Sequence, residues 1–306
     1  MAPLSQASAR AIARLRNYVP PPTNFLSLPV SRRAAVLILL FADRYGDLRV
    51  VLTVRSSTLK SYPGQVAFPG GKADTLEETP FQIARREAEE EIGLPRDDRS
   101  LPAPYRMEHL CELPSYLAVT ELGVRPCVGF LSTGDSTNIL GDAEENLIPR
   151  LNAKEVASVF TAPLHNFLRS YDESAEDGRA KDSPWYEGSW NMWQNESWRM
   201  HRFYVPDRRK SRLAGEVVRN RVFGLTARVL VDTARLAYDE MPDFEYNDYF
   251  GEEHMIGKLL AVGRLGDKRK SDDRITAEDV QKVGRMSADE LEKAGKEKVS
   301  REKGKM

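Results

Sequence analysis

Glu87, Glu90 and Glu91 stand at i, i+3 and i+4 in the run Arg86-Glu87-Ala88-Glu89-Glu90-Glu91-Ile92-Gly93-Leu94. On a helix that spacing sets three carboxylates on one face, with Glu89 projecting away from it. Carboxylates so crowded repel one another unless a cation sits among them. An all-oxygen ligand set selects a hard divalent ion such as Mg²⁺, Mn²⁺ or Ca²⁺. Upstream, Gly70-Gly71 follow Pro69. Two glycines permit positive φ or a close backbone approach, and N–H groups in such a loop can meet phosphate oxygens. Metal-holding carboxylates beside a phosphate cradle supply what diphosphate hydrolysis requires: neutralised charge, an activated water, and alignment with the scissile P–O bond. Each feature alone has a plainer use. A glutamate run is usually a solvated face, Gly-Gly a turn, and Arg85-Arg86 surface charge; their order and joint spacing carry the reading.

The elements that must position these residues follow from the hydrophobic pattern. Residues 34–41 and 48–54 read as strands joined by a turn at Tyr45-Gly46-Asp47, and 65–68 as a short strand that Pro69 ends. A helix is predicted over about 80–92, with Thr79 as N-cap and Pro80 at the first position. Its stripe of Phe81, Ala84, Ala88 and Ile92 packs one flank while the carboxylate flank faces the site. Strands are predicted at 106–113, 124–131, 156–160 and 202–205, a short helix at 165–170, a polar loop at 171–183, and a closing helix at 222–237. Before Asp43 the chain has no acidic residue. Arg10, Arg14 and Arg16 suit either a mitochondrial transit segment or a helix docked on the domain and closed by Pro20-Pro21-Pro22. Beyond Tyr238, 241–253 is acidic and aromatic, and from Arg264 onward charges alternate with few apolar residues, which predicts a solvated tail with a charged helix at about 277–298.

The run from Arg86 to Leu94, with seven residues between Glu78 and Arg86, resembles the Nudix box. Six residues rather than the usual five separate Gly71 from Glu78, so the loop is one residue longer than the general pattern. The resemblance implies that Glu87, Glu90 and Glu91 bind Mg²⁺ or Mn²⁺ in catalysis. It further implies that Arg86 braces the loop through a carboxylate such as Glu78, and that Gly70 and Gly71 give backbone contacts. The preceding segment, Leu52-Thr53-x-Arg55-Ser56, then Lys60, then Gly64-x-Val66-x-Phe68-Pro69-Gly70-Gly71, is similar to the element that marks the coenzyme A diphosphatase branch. Arginine usually stands where Lys60 does, and lysine keeps the charge without the bidentate geometry. The 3′-phosphate of coenzyme A calls for a second basic locus, with Arg55 and Lys60 as substrate-binding candidates. Their plainer use is a charged strand end kept for solubility.

The fold implied is an α/β sandwich with a mixed sheet over 34–240, an N-terminal extension at 1–33 and a charged tail at 241–306. The reaction implied is hydrolysis of coenzyme A or acyl-coenzyme A to 3′,5′-ADP and the 4′-phosphopantetheine moiety. Two rivals stand beside it: a Nudix hydrolase of another nucleoside diphosphate, such as ADP-ribose or a dinucleotide, and an inactive Nudix domain that senses a nucleotide. A pure binder has no need to gather costly carboxylates, which speaks against the sensor. The general base stays open among Glu87, Glu91 and an outside acid such as Glu155, for which a plain loop residue is the favoured reading. Trp185, Trp190, Trp193 and Trp198 fall in one insertion, where a stacking surface, a hydrophobic lid and a homodimer contact are all consistent with them.

Composition bounds these readings. A formal net charge of −1 over 306 residues gives no global pull toward nucleic acid or anionic membrane, so any anion site must be local. The longest apolar run, 36–42, is far short of the roughly 20 residues that span a bilayer. Cys111 and Cys127 are too few for a disulfide framework and lack metal-ligand spacing, and His109, His165, His201 and His254 are scattered; none receives a role. The branch resemblance implies a peroxisome, yet the terminal Lys305-Met306 is not the Ser-Lys-Leu type of address, so mitochondrion and cytosol stay open.

Overall fold

The computed structural model describes residues 3–59, 62–133, 156–173, 185–193, 196–207, 211 and 217–267. The centre of the molecule is β1 (Arg33–Ala42), whose nearly unbroken apolar run is buried on both faces. Alternate residues serve opposite layers: Leu37, Leu39 and Phe41 face one core, Ile38 and Leu40 the other. β1 pairs antiparallel with β2 (Leu48–Arg55) and β4 (Gly70–Lys72), and parallel with β7 (Gly123–Ser132). β3 (Val66–Ala67) and β8 (Val156–Pro163) lie on β2, while β5 (Arg106–Glu112) and β6 (Tyr116–Leu117) lie on β7. The sheet is therefore mixed, with one parallel pair among antiparallel ones.

Helices cover both faces. α2 (Pro80–Ile92) packs Ile83, Ala84, Ala88 and Ile92 onto the Leu37 side. On the Ile38 side lie α1 (Gln6–Asn17), through Ala11, Ile12 and Leu15, and α3 (Gly224–Tyr238), through Ala227, Leu230, Val231 and Ala234. The basic N-terminal segment forms a helix docked on the domain. The result is an α/β/α sandwich with a mixed sheet.

Four features differ from the sequence reading. The ladder resumes after Pro69, because Gly70, at φ +155°, lies so close to β1 that a Cβ would strike Ala35 O and Val36 Cα. The closing helix begins at Gly224 rather than 222, since β11 (Arg219–Phe223) takes the preceding residues into a second sheet. That sheet, in the order β11-β10-β9, is built from the tryptophan-rich insertion, with β9 (Tyr186–Trp193) and β10 (Glu196–Pro206) forming a long antiparallel pair. Packed structure also continues beyond 240: α4 (Glu253–Ala261) buries Met255, Ile256 and Leu259 against Leu28 and Leu117. The predicted helix at 277–298 lies outside the described residues. Among the described residues no helix is long and apolar enough to cross a membrane.

Candidate active site

Local sequence fixes α2 at both ends. Thr79 accepts from Gln82 N–H while the Gln82 side chain accepts from Thr79 N–H, Pro80 opens the helix, and Gly93 closes it at φ +67°. With the apolar flank packed, the flank bearing Glu87 and Glu91 faces β4. Glu91 is 4% exposed, and its Oε2 accepts from Gly70 N–H at 3.0 Å. Glu87 lies against Gly71 so closely that any Cβ there would collide with its carboxylate. The glycine is thus required by a side chain on another element.

Glu90 sits differently. Its side chain is 48% exposed at the rim, with Oε1 3.7 Å from Arg86 Nη1 and 3.8 Å from Arg96 Nη2. One oxygen from each of Glu87, Glu90 and Glu91 does not converge within 4.8 Å of the others. Shared helical periodicity places the three on one side of α2, while their contacts split them into two inner groups and one outer. Glu89 is turned away and pairs with Arg96 at 3.2 Å.

Arg86 joins the loop to the helix. Its Nε donates to Glu78 Oε1 at 2.9 Å, Nη1 to Glu87 Oε1 at 2.9 Å, and Nη2 to the Lys72 carbonyl at 2.7 Å. Glu78 Oε2 accepts from Asp74 N–H at 2.7 Å, so one carboxylate pins the longer loop to the arginine. Burial alone would raise the Glu78 pKa, but the bonds from Arg86 and Asp74 outweigh it and the carboxyl titrates below its ordinary value. Burial would likewise lower the Arg86 pKa, and its bonds to Glu78 and Glu87 carry it above normal instead.

Arg55, at the end of β2, places Nη1 3.9 Å from Glu91 Oε1. Its backbone closes the intervening loop, accepting from Gly64 N–H at 3.1 Å and donating to Gln65 O at 2.9 Å. Arg55, Gly70, Gly71, Glu78, Arg86, Glu87 and Glu91 are thus gathered at one place, with Glu90 on its rim. Lys60 and Glu155 lie outside the described residues. Sequence reasoning missed Arg96, whose reach to Glu90 comes from beyond the helix end, and the Lys72 carbonyl, a backbone acceptor that no side-chain pattern reveals. The donor set is all oxygen and suits a hard divalent ion.

Three of the four tryptophans have protein contacts, and the Trp193 side chain lies outside the described residues. Trp185 is buried edge-on to Phe203 at 5.8 Å and donates to Arg169 O. Trp190 donates to Glu245 and lies under Arg199 at 5.4 Å, while Trp198 lies 5.4 Å from the Arg228 guanidinium.

Residues 31–145 match the NUDIX domain family. A peroxisomal coenzyme A diphosphatase of Saccharomyces cerevisiae is 32% identical, covering 82% of this chain and 82% of its own. A mitochondrial Nudix hydrolase of Arabidopsis thaliana is 34% identical over 70% of this chain and 61% of its own. A peroxisomal coenzyme A diphosphatase of Mus musculus is 38% identical over 45% of this chain and 50% of its own. Among solved structures, a C. elegans Ap4A hydrolase matches at 20% identity and a TM-score of 0.31, covering 44% of this chain and 81% of its own. The extent and identity of the yeast match make the conclusion plain: the chain belongs to the Nudix family and is a hydrolase of diphosphate bonds.

Proposed function

We propose that the chain hydrolyses the diphosphate bond of coenzyme A or acyl-coenzyme A, giving 3′,5′-ADP and the 4′-phosphopantetheine moiety. The observation that carries this reading is Arg55: it belongs to the segment resembling the coenzyme A branch, and its guanidinium stands 3.9 Å from Glu91 in the carboxylate site. The yeast and mouse relatives, both named as coenzyme A diphosphatases, support the same choice.

Glu87, Glu90 and Glu91 would hold Mg²⁺ or Mn²⁺. Such an ion neutralises phosphate charge and lowers the pKa of a bound water toward neutrality. The chain's own residues do the remainder. Arg86 Nη1 holds and aims the Glu87 carboxylate, Gly70 N–H fixes Glu91, and Gly71 leaves room for the Glu87 carboxylate. Arg55 offers the substrate a cation beside Glu91, and Lys60 is a second basic candidate by its sequence segment alone. A carboxylate takes the proton from water: Glu87, Glu91, or an outside acid such as Glu155.

Purified protein given coenzyme A, acetyl-coenzyme A, ADP-ribose and a dinucleoside polyphosphate, with products identified by mass spectrometry, tests the substrate. The expected outcome is cleavage of the coenzyme A species at least about tenfold faster than the others, abolished in Glu90→Gln. Preferential cleavage of ADP-ribose or the dinucleotide overturns the choice. A peroxisomal home rests on the yeast and mouse names, while the Arabidopsis relative is named mitochondrial. Imaging with either terminus left free separates the two.

A further inference from the structure

β5 forms an edge of the main sheet and runs antiparallel to β7, and their register slips between His109 and Cys111. His109 opposes Gly129; after the slip Cys111 opposes Val128 and Glu112 opposes Cys127. In an uninterrupted strand, residues three apart point to opposite faces. The extra residue, Leu110, cancels that alternation and returns His109 and Glu112 to one face, that of Cys127. One ligand atom from each of His109, Glu112 and Cys127 lies within 4.8 Å of the other two. Among the described residues no other set of three His, Cys, Asp or Glu side chains converges in this way. The His109 ring is held by stacking on Phe81 of α2, with centroids 3.9 Å apart and planes 8° from parallel.

The geometry points to a second cation site, separate from the α2 carboxylates, that takes a borderline transition metal such as Zn²⁺ through an imidazole nitrogen, a thiolate and a carboxylate oxygen. A thiolate with an imidazole selects zinc over the hard ions that an all-oxygen set prefers. Three protein ligands leave a fourth, tetrahedral position for water, and the exposed side of His109 gives the ion a way in, while Cys127 has no exposed surface. Partial burial lowers the His109 pKa, which favours the neutral imidazole that ligates metals. Burial, reinforced by Glu112, raises the Cys127 thiol, so without a cation the sulfur keeps its proton. On binding, the S–H bond breaks, its proton leaves to solvent, and the sulfur lone pair takes the metal.

The surroundings balance the charge. Arg125 Nε donates to Glu112 Oε2 at 3.0 Å, orienting that carboxylate as an outer partner does, and Arg125 Nη1 also meets Glu253 at 3.0 Å. The two charges of the ion and the one of Arg125 match the three negative charges of Glu112, Glu253 and the Cys127 thiolate. A metal here would clamp the edge strand β5 to β7.

The test uses the full chain, stripped with a chelator and reloaded with one equivalent of Co²⁺ or Zn²⁺. Cobalt bound to a thiolate shows a sulfur-to-metal charge-transfer band, which the α2 carboxylates cannot produce. We expect that band, and one retained zinc by elemental analysis, in the parent and in Glu90→Gln. Both should vanish in Cys127→Ser, and His109→Ala should weaken binding about tenfold or more. Should Cys127→Ser fail to fold, His109→Ala and Glu112→Gln, altered at the outer side of the cluster, provide the same readout. Absence of the band in folded parent protein overturns the site. So does a band that His109→Ala leaves unchanged, since the thiolate would then be ligating elsewhere.

Discussion

Arg86 spends its guanidinium on three acceptors: a loop carboxylate, a helix carboxylate and a backbone carbonyl. Lysine at this position would keep the charge but lose the fork that reaches all three at once. Arg86→Lys is expected to lower activity roughly 10- to 100-fold, the usual cost of removing a partner that orients a metal ligand. Steady-state kinetics set beside a thermal melt check this, the prediction being a large fall in rate with little change in melting temperature. Glu91→Gln separates charge from geometry in another way, since its amide oxygen can still accept from Gly70 N–H. A folded but inactive variant is expected. At this scale much of the site was legible, because residue type and helical period together dictate which carboxylates share a side. What periodicity could not supply was the outward position of Glu90, which depends on Arg96, nor the grouping of His109 with Glu112, which depends on a bulge that reverses strand alternation.

Elements carry the next constraints. The strand β4 exists because Gly70 and Gly71 allow it to slide between β1 and α2, and the second glycine meets the Glu87 carboxylate. Gly71→Ala is expected to push Glu87 aside and abolish most activity while β4 still pairs, which a crystal structure or the ratio of activity to melting temperature will reveal. Proline before the glycines read as a stop, yet Pro69 O accepts from Leu37 N–H at 2.8 Å and the ladder continues past it. In the second sheet, His201 is buried beside Phe203 and Phe244, with Nδ1 3.1 Å from Tyr186 Oη. Burial first, then the nearby Arg199, Arg228 and Arg235, push its pKa down to about 3. The unfolded chain takes that proton near pH 6.5, so stability is complete above that value and declines as pH falls toward 3. The slope is up to about 1.4 kcal/mol per pH unit. His201→Gln should flatten this part of the profile, measured by urea unfolding between pH 7 and 4.

At the scale of the whole molecule, one carboxylate fastens three distant segments. Glu253, at the start of α4, accepts from Thr23 Oγ1 at 2.7 Å, Asn24 N–H at 2.8 Å and Ser115 N–H at 2.7 Å, and pairs with Arg125 at 3.0 Å. Its neighbour Glu252 pairs with the buried Arg228 at 2.8 Å and accepts from Leu117 N–H at 3.0 Å. An acidic stretch after 240 reads locally as solvated tail because charged residues usually face water. Partners more than 100 positions away, such as Arg125, are invisible to any local window. Glu253→Ala strands three donors and half of an ion pair in a part-buried site, and removing one partner from such a network typically costs about 3–5 kcal/mol. Glu253 lies outside the carboxylate site, so turnover per folded molecule should be unchanged. The measurement is a guanidinium midpoint that falls at constant slope, alongside an unaltered kcat at a temperature where the variant is folded. A variant that keeps its midpoint would mean that water replaces all of these contacts without loss. A variant that loses kcat while staying folded would mean that α4 supports the site as well as the fold.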